Sequence, residues 1–422
     1  MRRRQQIAVL GALLAAVWDC RAVDVSGTLE AKFQVDNRFN QSPAVVGELW
    51  GDGEILSAAR GWRAHFSWSG RLSSRGGDDG GKLYQAFVEK RWPFLGSALR
   101  LGRFQRTDVA GFYVLDGGQM DYRLKGWQVQ WYGGRPVRMD HVRSIDGDVV
   151  YGVRVARRQL LNRKIGSLTL QDYEIGVGFQ SFHAQGVSRR LHGNAAIQGI
   201  WADRPWRGTL AATYRFDRQR FENVWFDGFV DLPWHLRFRT NYEYYHPRSP
   251  FPTFRERFVS AYALGEQSLF RAELHQRPTA NWHYFIGGQR ATKADGFDGY
   301  GLRAGGDYRI GDTTVAATYD YLRIGYDQAH SAYGQVRHAF NSRLEGWVNA
   351  ALRREEKRLY GINWSRGGEG GVRYLLDSNL VLRLSLSYIA NSRRRDDYVG
   401  AVRLIYYFDR FRPKADVCAL FC

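Results

Sequence analysis

Residues 25–36 read VSGTLEAKFQVD, and they alternate. Val25, Gly27, Leu29, Ala31, Phe33 and Val35 take one side; Ser26, Thr28, Glu30, Lys32, Gln34 and Asp36 take the other. A β-strand turns successive side chains to opposite faces, so this stretch predicts a strand with one apolar and one charged face. The pattern recurs along the chain. Trp62, Ala64, Phe66 and Trp68 oppose Arg63, His65, Ser67 and Ser69. Leu236, Phe238 and Tyr242 oppose His235, Arg237, Arg239 and Asn241, and Leu382, Leu384, Leu386 and Tyr388 oppose Arg383, Ser385 and Ser387. Such segments run to roughly 9–12 residues, the length a tilted strand needs to cross a bilayer.

Soluble sandwiches alternate too, so the alternation alone does not decide the class. Two further features do. Aromatic residues sit near the ends of the apolar faces, as Trp62 and Trp68 do on one strand and Tyr300 and Tyr308 on another. Rings there would form the interface girdles of a membrane barrel. The opposite face carries Arg, Asp and Glu, and the texture repeats about twenty times without a break. The expected fold is all-β, a transmembrane antiparallel β-barrel of about 18 strands, within a range of 16–22. About 21 segments qualify as strands, one of them near 256–264, and a single-chain barrel needs an even number. Val45–Trp50 is a candidate for the missing one. The segments 37–54, 73–81, 104–120 and 245–255 read as long external loops, whereas 92–96 and 231–233 read as tight periplasmic turns.

Composition agrees. The 422 residues include 24 Tyr, 24 Phe, 14 Trp and 47 Gly, but only 10 Pro, and no linker or low-complexity block divides them. After Val17 no uninterrupted apolar run is long enough for a membrane-spanning helix, which needs about 18 residues. The first 22 residues differ from the rest. Arg2, Arg3 and Arg4 precede a short apolar run, Ile7–Val17, and then Cys20-Arg21-Ala22 offers small residues at a cleavage site. This is the pattern of a secretory signal peptide. The expected organisation is a signal peptide over 1–22, a barrel over 23–408 and a periplasmic tail over 409–422. The last strand ends on Phe408, but the chain runs on, which departs from the usual aromatic barrel terminus.

The formal net charge is +19; removing residues 1–22, with four Arg and one Asp, leaves +16. If the polar faces line the lumen, they bring in Arg63, Arg100, Arg154, Arg215, Arg237, Arg239, Arg271, Arg303, Arg383 and Arg403. Glu30, Asp36, Asp227, Asp231, Glu273, Asp307, Asp320 and Glu345 come with them. Two roles compete for these arginines. Arg–carboxylate ladders brace a polar lumen, whereas uncompensated Arg in a low-dielectric channel concentrates anions. Further Arg pairs and triplets at 157–158, 189–190, 353–354 and 393–395 add to the positive excess, part of which would face phosphorylated lipopolysaccharide.

Catalytic signals are absent from the sequence. There is no phosphate loop, no Gly-x-Ser-x-Gly and no His-Glu-x-x-His. His235, His275 and His283 are candidates for catalysis only in that they would face inward, and Gly176 and Gly178 read as ordinary strand glycines. No cofactor, metal or nucleic acid is expected, since the aromatics interleaving the basic residues are spaced as a lipid-facing wall. Cys418 and Cys422 suit a small terminal disulfide in an oxidising periplasm.

Three runs carry a resemblance to a known class: YQAFVEKRWP at 84–93, LRLGRFQ at 99–105 and LDGG at 115–118. They are similar to segments of large Gram-negative outer-membrane barrels, including alginate-export-type porins and uncharacterised polysaccharide-export barrels. The resemblance implies about 18 strands, an Arg-rich lumen and an export role for an anionic polysaccharide. The expected function is a non-enzymatic outer-membrane channel for polar or anionic solutes, saccharides included. The alternatives are an outer-membrane component of polysaccharide export, working with periplasmic components, and a sheath or receptor barrel for a partner protein. Outer-membrane lipid, lipopolysaccharide and the barrel-assembly machinery are the expected partners in every case.

Overall fold

A computed structural model describes residues 24–37, 44–57, 60–74, 79–108, 111–138, 143–144, 148–183, 187–245, 267–293, 298–324, 327–359, 362–392 and 397–409. The expected signal peptide, the strand expected near 256–264, Arg393–Arg395, Cys418 and Cys422 lie outside the described residues, as does nearly all of the expected tail.

The described chain is a succession of strands: β1 (Asp24–Asp36), β2 (Ala44–Ser57), β3 (Trp62–Ser73), β4 (Gly80–Trp92), β5 (Ser97–Asp108), β6 (Gly111–Leu124), β7 (Trp127–Arg138) and a two-residue β8 (Arg143–Ser144). Then come β9 (Val149–Ile165), β10 (Leu168–His183), β11 (Val187–Trp201), β12 (Arg204–Arg215), β13 (Arg220–Leu232), β14 (Leu236–Tyr245), β15 (Gln267–Thr279) and β16 (Trp282–Lys293). The series ends with β17 (Asp298–Ile310), β18 (Thr313–Ile324), β19 (Asp327–Ala339), β20 (Leu344–Leu359), β21 (Ile362–Asp377), β22 (Leu380–Asn391) and β23 (Asp397–Asp409). Each pairs antiparallel with its neighbour in sequence, except that β8 pairs with β7 alone and β7 continues the wall by pairing with β9. β1 pairs with both β2 and β23. The sheet therefore closes on itself and leaves no edge along the wall, the condition for strands to cross a membrane.

The wall holds 22 strands, at the top of the expected range rather than at its centre. Two stretches read as external loops turned out to be wall. Residues 44–57 form β2, the strand hinted at by Val45–Trp50, and most of 104–120 is the β5–β6 hairpin, joined across 109–110. Asp108 and Asp116-Gly117-Gly118 look like turn chemistry, but Gly117 and Gly118 lie in the ladder opposite Gly134 and Gly133 of β7. Glycine in a strand marks close backbone approach as often as a turn.

An even strand number puts Asp24 and Asp409 at the same rim. The connections at that rim are short. Gly96 closes the Pro93–Leu95 turn with φ 59°, and Trp234 and His235 follow Pro233 with φ 60° and 58°. Lys125-Gly126 and Ala202-Asp203 have positive φ at both positions, the geometry that matches the twist of a two-residue hairpin.

The outer face is apolar. Leu29, Phe33, Val35, Leu302, Leu384, Leu386 and Val402 are among many large side chains left exposed there, and Phe33 is 63% exposed. A soluble protein rarely leaves so continuous an apolar surface in water. Trp127, Trp282 and Tyr308 ring the belt near the rim that holds the chain ends, and Tyr300 and Tyr398 sit toward the other rim. Tyr300 and Tyr308 are eight residues apart on β17. At ~3.4 Å per residue and ~40° of tilt, that is about 21 Å across the membrane, close to the ~25 Å apolar band of outer-membrane barrels. The protein is an integral outer-membrane β-barrel.

Candidate functional site: the lumen

Three contacts fix which face is interior. Arg154 on β9 lies 3.0 Å from Asn194 on β11, Arg190 on β11 lies 2.9 Å from Glu222 on β13, and Arg303 on β17 lies 2.9 Å from Glu273 on β15. Each pair skips the strand between. Side chains converge on the concave side of a curved sheet and diverge on the convex side, so the charged face is the inner one.

The ten arginines singled out in the sequence lie on strands with this polarity, and the structure gives each a partner. Arg63 pairs with Glu54 (2.8 Å), Arg100 with Glu89 (2.5 Å) and Arg154 with Glu174 (2.8 Å). Arg215 pairs with Asp217 (2.6 Å), Arg237 with Asp231 (2.5 Å) and Arg239 with Asp227 (3.0 Å). Arg303 holds Asp320 (2.5 Å) besides Glu273, while Arg383 reaches Glu369 at 3.5 Å and Arg403 reaches Glu30 at 3.6 Å. Arg271 is the one of the ten that meets no carboxylate among the described residues; it donates to Gln289 at 3.3 Å. Glu345 sits between Arg337 and Arg373, and Asp307 binds His283. Apart from Arg215–Asp217, which ties β12 to its own turn, these pairs join strand to strand, as bracing requires.

Cations without such partners stand elsewhere. A recess of about 1200 Å³ opens along β12–β16 beside the rim that holds the chain ends. Its lining includes five arginines, at 204, 207, 237, 239 and 277, against three carboxylates, Asp227, Asp231 and Glu243. Among the described residues, the exposed guanidinium groups of Arg207 and Arg277 make no ion pair or hydrogen bond. Phe229 shares the recess, with the Arg237 guanidinium 4.4 Å from its ring centroid. A partnerless arginine in a protein-walled cavity is the arrangement that attracts and holds an anion. Sequence reasoning passed over both, because alternation identifies a face but not who pairs on it.

The three histidines are partly brought together. His275 Nδ1 lies 3.1 Å from His283 Nε2, with the rings stacked, and their other nitrogens meet Glu273 (3.1 Å) and Asp307 (2.9 Å). His235 sits in the β13–β14 turn at the edge of the same recess. None of the three has a hydroxyl or thiol partner among these contacts. Among the described residues, no group of three or more His, Cys, Asp or Glu could hold a metal ion.

The inner face is not polar throughout. Phe87, Phe104, Leu115, Tyr132, Val150 and Phe182 form a buried cluster over β4–β10, and Phe104, Leu115 and Val150 are 0% exposed. They share the inward register with Glu89, Arg100, Gln119 and Arg154. Arg100 lies 4.8 Å from the Phe87 ring centroid, and Arg106 lies 3.8 Å from that of Tyr132. This sector therefore presents packed side chains to the lumen, while β12–β16 presents the open recess. Phe87 and Phe104, standing in register with Glu89 and Arg100, were the sequence signal for it.

No family model matches the chain, and no curated protein matches it. Solved structures do. The P pilus usher PapC translocation pore aligns over 92% of this chain and 100% of its own, at 8% identity and a TM-score of 0.47. Pseudomonas aeruginosa OccK2 (OpdF), in complex with glucuronate, aligns over 92% and 98% at 13% identity and 0.44. Acinetobacter baumannii OccAB3 aligns over 92% and 99% at 10% identity and 0.44. The likeness is one of barrel architecture alone. It lends no support to the narrower resemblance to alginate-export or polysaccharide-export barrels.

Proposed function

We propose that this barrel is a non-enzymatic outer-membrane channel that prefers anionic solutes, acidic saccharides among them. The observation that carries the reading is the recess, with five arginines against three carboxylates. In this reading the ten paired arginines brace the lumen and set its overall potential, while Arg207 and Arg277 give it a local positive charge. A solute carboxylate exchanges part of its water shell for these guanidinium groups, and Phe229 offers an apolar face to a sugar ring. Export by a signal peptide over 1–22 and a periplasmic rim at the chain ends fit this role.

Single channels in a planar bilayer under a salt gradient test it. The expected reversal potential has the sign of anion preference. Replacing Arg207 and Arg277 by Ala moves it toward zero. A cation-selective or non-conducting wild-type barrel would overturn the reading.

A further inference from the structure

The β9–β10 hairpin outruns its neighbour. The ladder between β7 and β9 ends at Trp127↔Arg157, and the last bond across it runs from the Arg158 N–H to the Gly126 carbonyl, 2.8 Å. β9 nonetheless continues to Ile165. Eight residues at ~3.3 Å each carry it about 26 Å past Trp127 along the strand, or about 20 Å along the barrel axis at ~40° of tilt. Trp127 belongs to the aromatic girdle, so the hairpin stands clear of the membrane at the rim that holds the chain ends. Its β10 side is covered, since Leu168 pairs with Trp201 of β11. Its β9 side is not: among the described residues, no strand pairs with 159–165 on the edge away from β10.

An unpaired edge offers a row of backbone donors and acceptors to any extended chain. This one is selective. Arg163 and Lys164 lie on it, Arg157 and Arg158 stand just before it at the end of the β7 ladder, and all four are exposed. Between 157 and 173 the only carboxylate is Asp172, which pairs with Arg158 at 3.2 Å. Two copies meeting edge to edge would set Arg163 and Lys164 of one against Arg163 and Lys164 of the other. A register slip at Leu170/Asp172 and φ of 42° at Asn162 twist the edge, which also works against flat self-pairing. An acidic strand meets no such repulsion.

We propose that the open edge of β9, residues 159–165, is a docking site at which an acidic, extended segment of a partner protein adds as a further strand. Main-chain hydrogen bonds hold the segment, and the Arg and Lys side chains choose its charge. The site is separate from the lumen and does not depend on what the lumen conducts.

The test uses the full barrel in phosphatidylcholine nanodiscs and a labelled eight-residue Val-Glu repeat, compared with the same peptide N-methylated along one edge. The unmodified peptide is expected to bind, about tenfold more weakly at high salt, and to slow amide exchange at 159–165. The N-methylated copy, with the same charge, is expected to bind at least about tenfold more weakly. The variant carrying R163E and K164E is expected to lose about tenfold in affinity while keeping wild-type conductance, which shows that it folds. Equal binding of the two peptides would reduce the site to bulk charge and overturn the proposal, as would binding of neither. Protection of 159–165 by phosphatidylglycerol discs without peptide would make the hairpin a lipid contact and also overturn it.

Discussion

Arg154 Nη2 lies 3.0 Å from Asn194 Oδ1 across a strand to which neither belongs. What lets them meet is the side chain that Gly176 lacks. A Cβ at Gly176 would stand 2.5 Å from Asn194 Oδ1 and 2.8 Å from Arg154 Nη2. The same guanidinium nitrogen holds Glu174 at 2.8 Å, so one glycine leaves room for a three-residue knot. Gly176 is thus no ordinary strand glycine, although the sequence reads it as one.

Gly176→Leu is expected to displace the knot and destabilise the barrel by about 2 kcal/mol, in the range of overpacking a filled site. Heat-modified migration on a gel, which separates folded from unfolded barrels, would show the lower unfolding temperature. An unchanged temperature would mean that the knot has somewhere else to go.

Glu89 is 2% exposed and lies 2.5 Å from both Arg91 and Arg100. Glu89→Gln leaves Arg100 facing Phe87 and Phe104 without its countercharge. Breaking a buried pair from one side costs on the order of 3 kcal/mol. Pairing that change with Arg100→Met is expected to restore most of the loss. Urea midpoints of the three proteins would check it, and a double variant no better than the single would count against a charge effect.

The paired and free arginines of the recess predict different responses. Changing Arg237 and Arg239 together to Glu sets each against its own carboxylate, Asp231 and Asp227, and is expected to drive selectivity toward cations. Both guanidinium groups are about half exposed, so each lost pair costs under ~1 kcal/mol of stability. Arg207→Ala with Arg277→Ala should reduce anion preference and leave stability within ~0.5 kcal/mol, since neither guanidinium has a partner among the described residues. Reversal potentials and unfolding temperatures together separate the two cases; a large stability loss from the second pair would show that they too are braces.

Asp217 lies in the β12–β13 turn, outside the spanning strands. Burial pushes its carboxyl up, but the hydrogen bonds and charge of Arg215, its own backbone N–H and Ser188 outweigh this and hold it below its ordinary value. A carboxyl depressed in the folded state adds stability above its unfolded value of about 3.9, and that contribution fades as pH falls through the lower folded value. Wild type is therefore expected to lose stability in strong acid more steeply than Asp217→Asn, which already lacks the contribution at neutral pH. Parallel unfolding curves between neutral pH and strong acid would refute it.

How much of this was legible beforehand differs between wall and lumen. Alternation in residues such as 25–36 gave the wall, because a strand's two-residue period is local and each residue's face follows from its neighbours. Tight turns at 92–96 and 231–233 were legible for the same reason. The β5–β6 hairpin was misread because Asp116-Gly117-Gly118 has the composition of a turn and lies instead where strands approach closely.

The sequence by itself determined an all-β wall of membrane-barrel type: an apolar face for lipid, a charged face within, aromatic strand ends and a large positive excess. Only the tertiary structure decided the strand number, because closure depends on β1 meeting β23, some 370 residues apart. It alone decided which arginines are braces and which are free, because Arg303 finds Glu273 two strands away and Arg207 finds no carboxylate among the described residues. Those outcomes depend on register and curvature summed around the whole barrel, and no local window of sequence contains either.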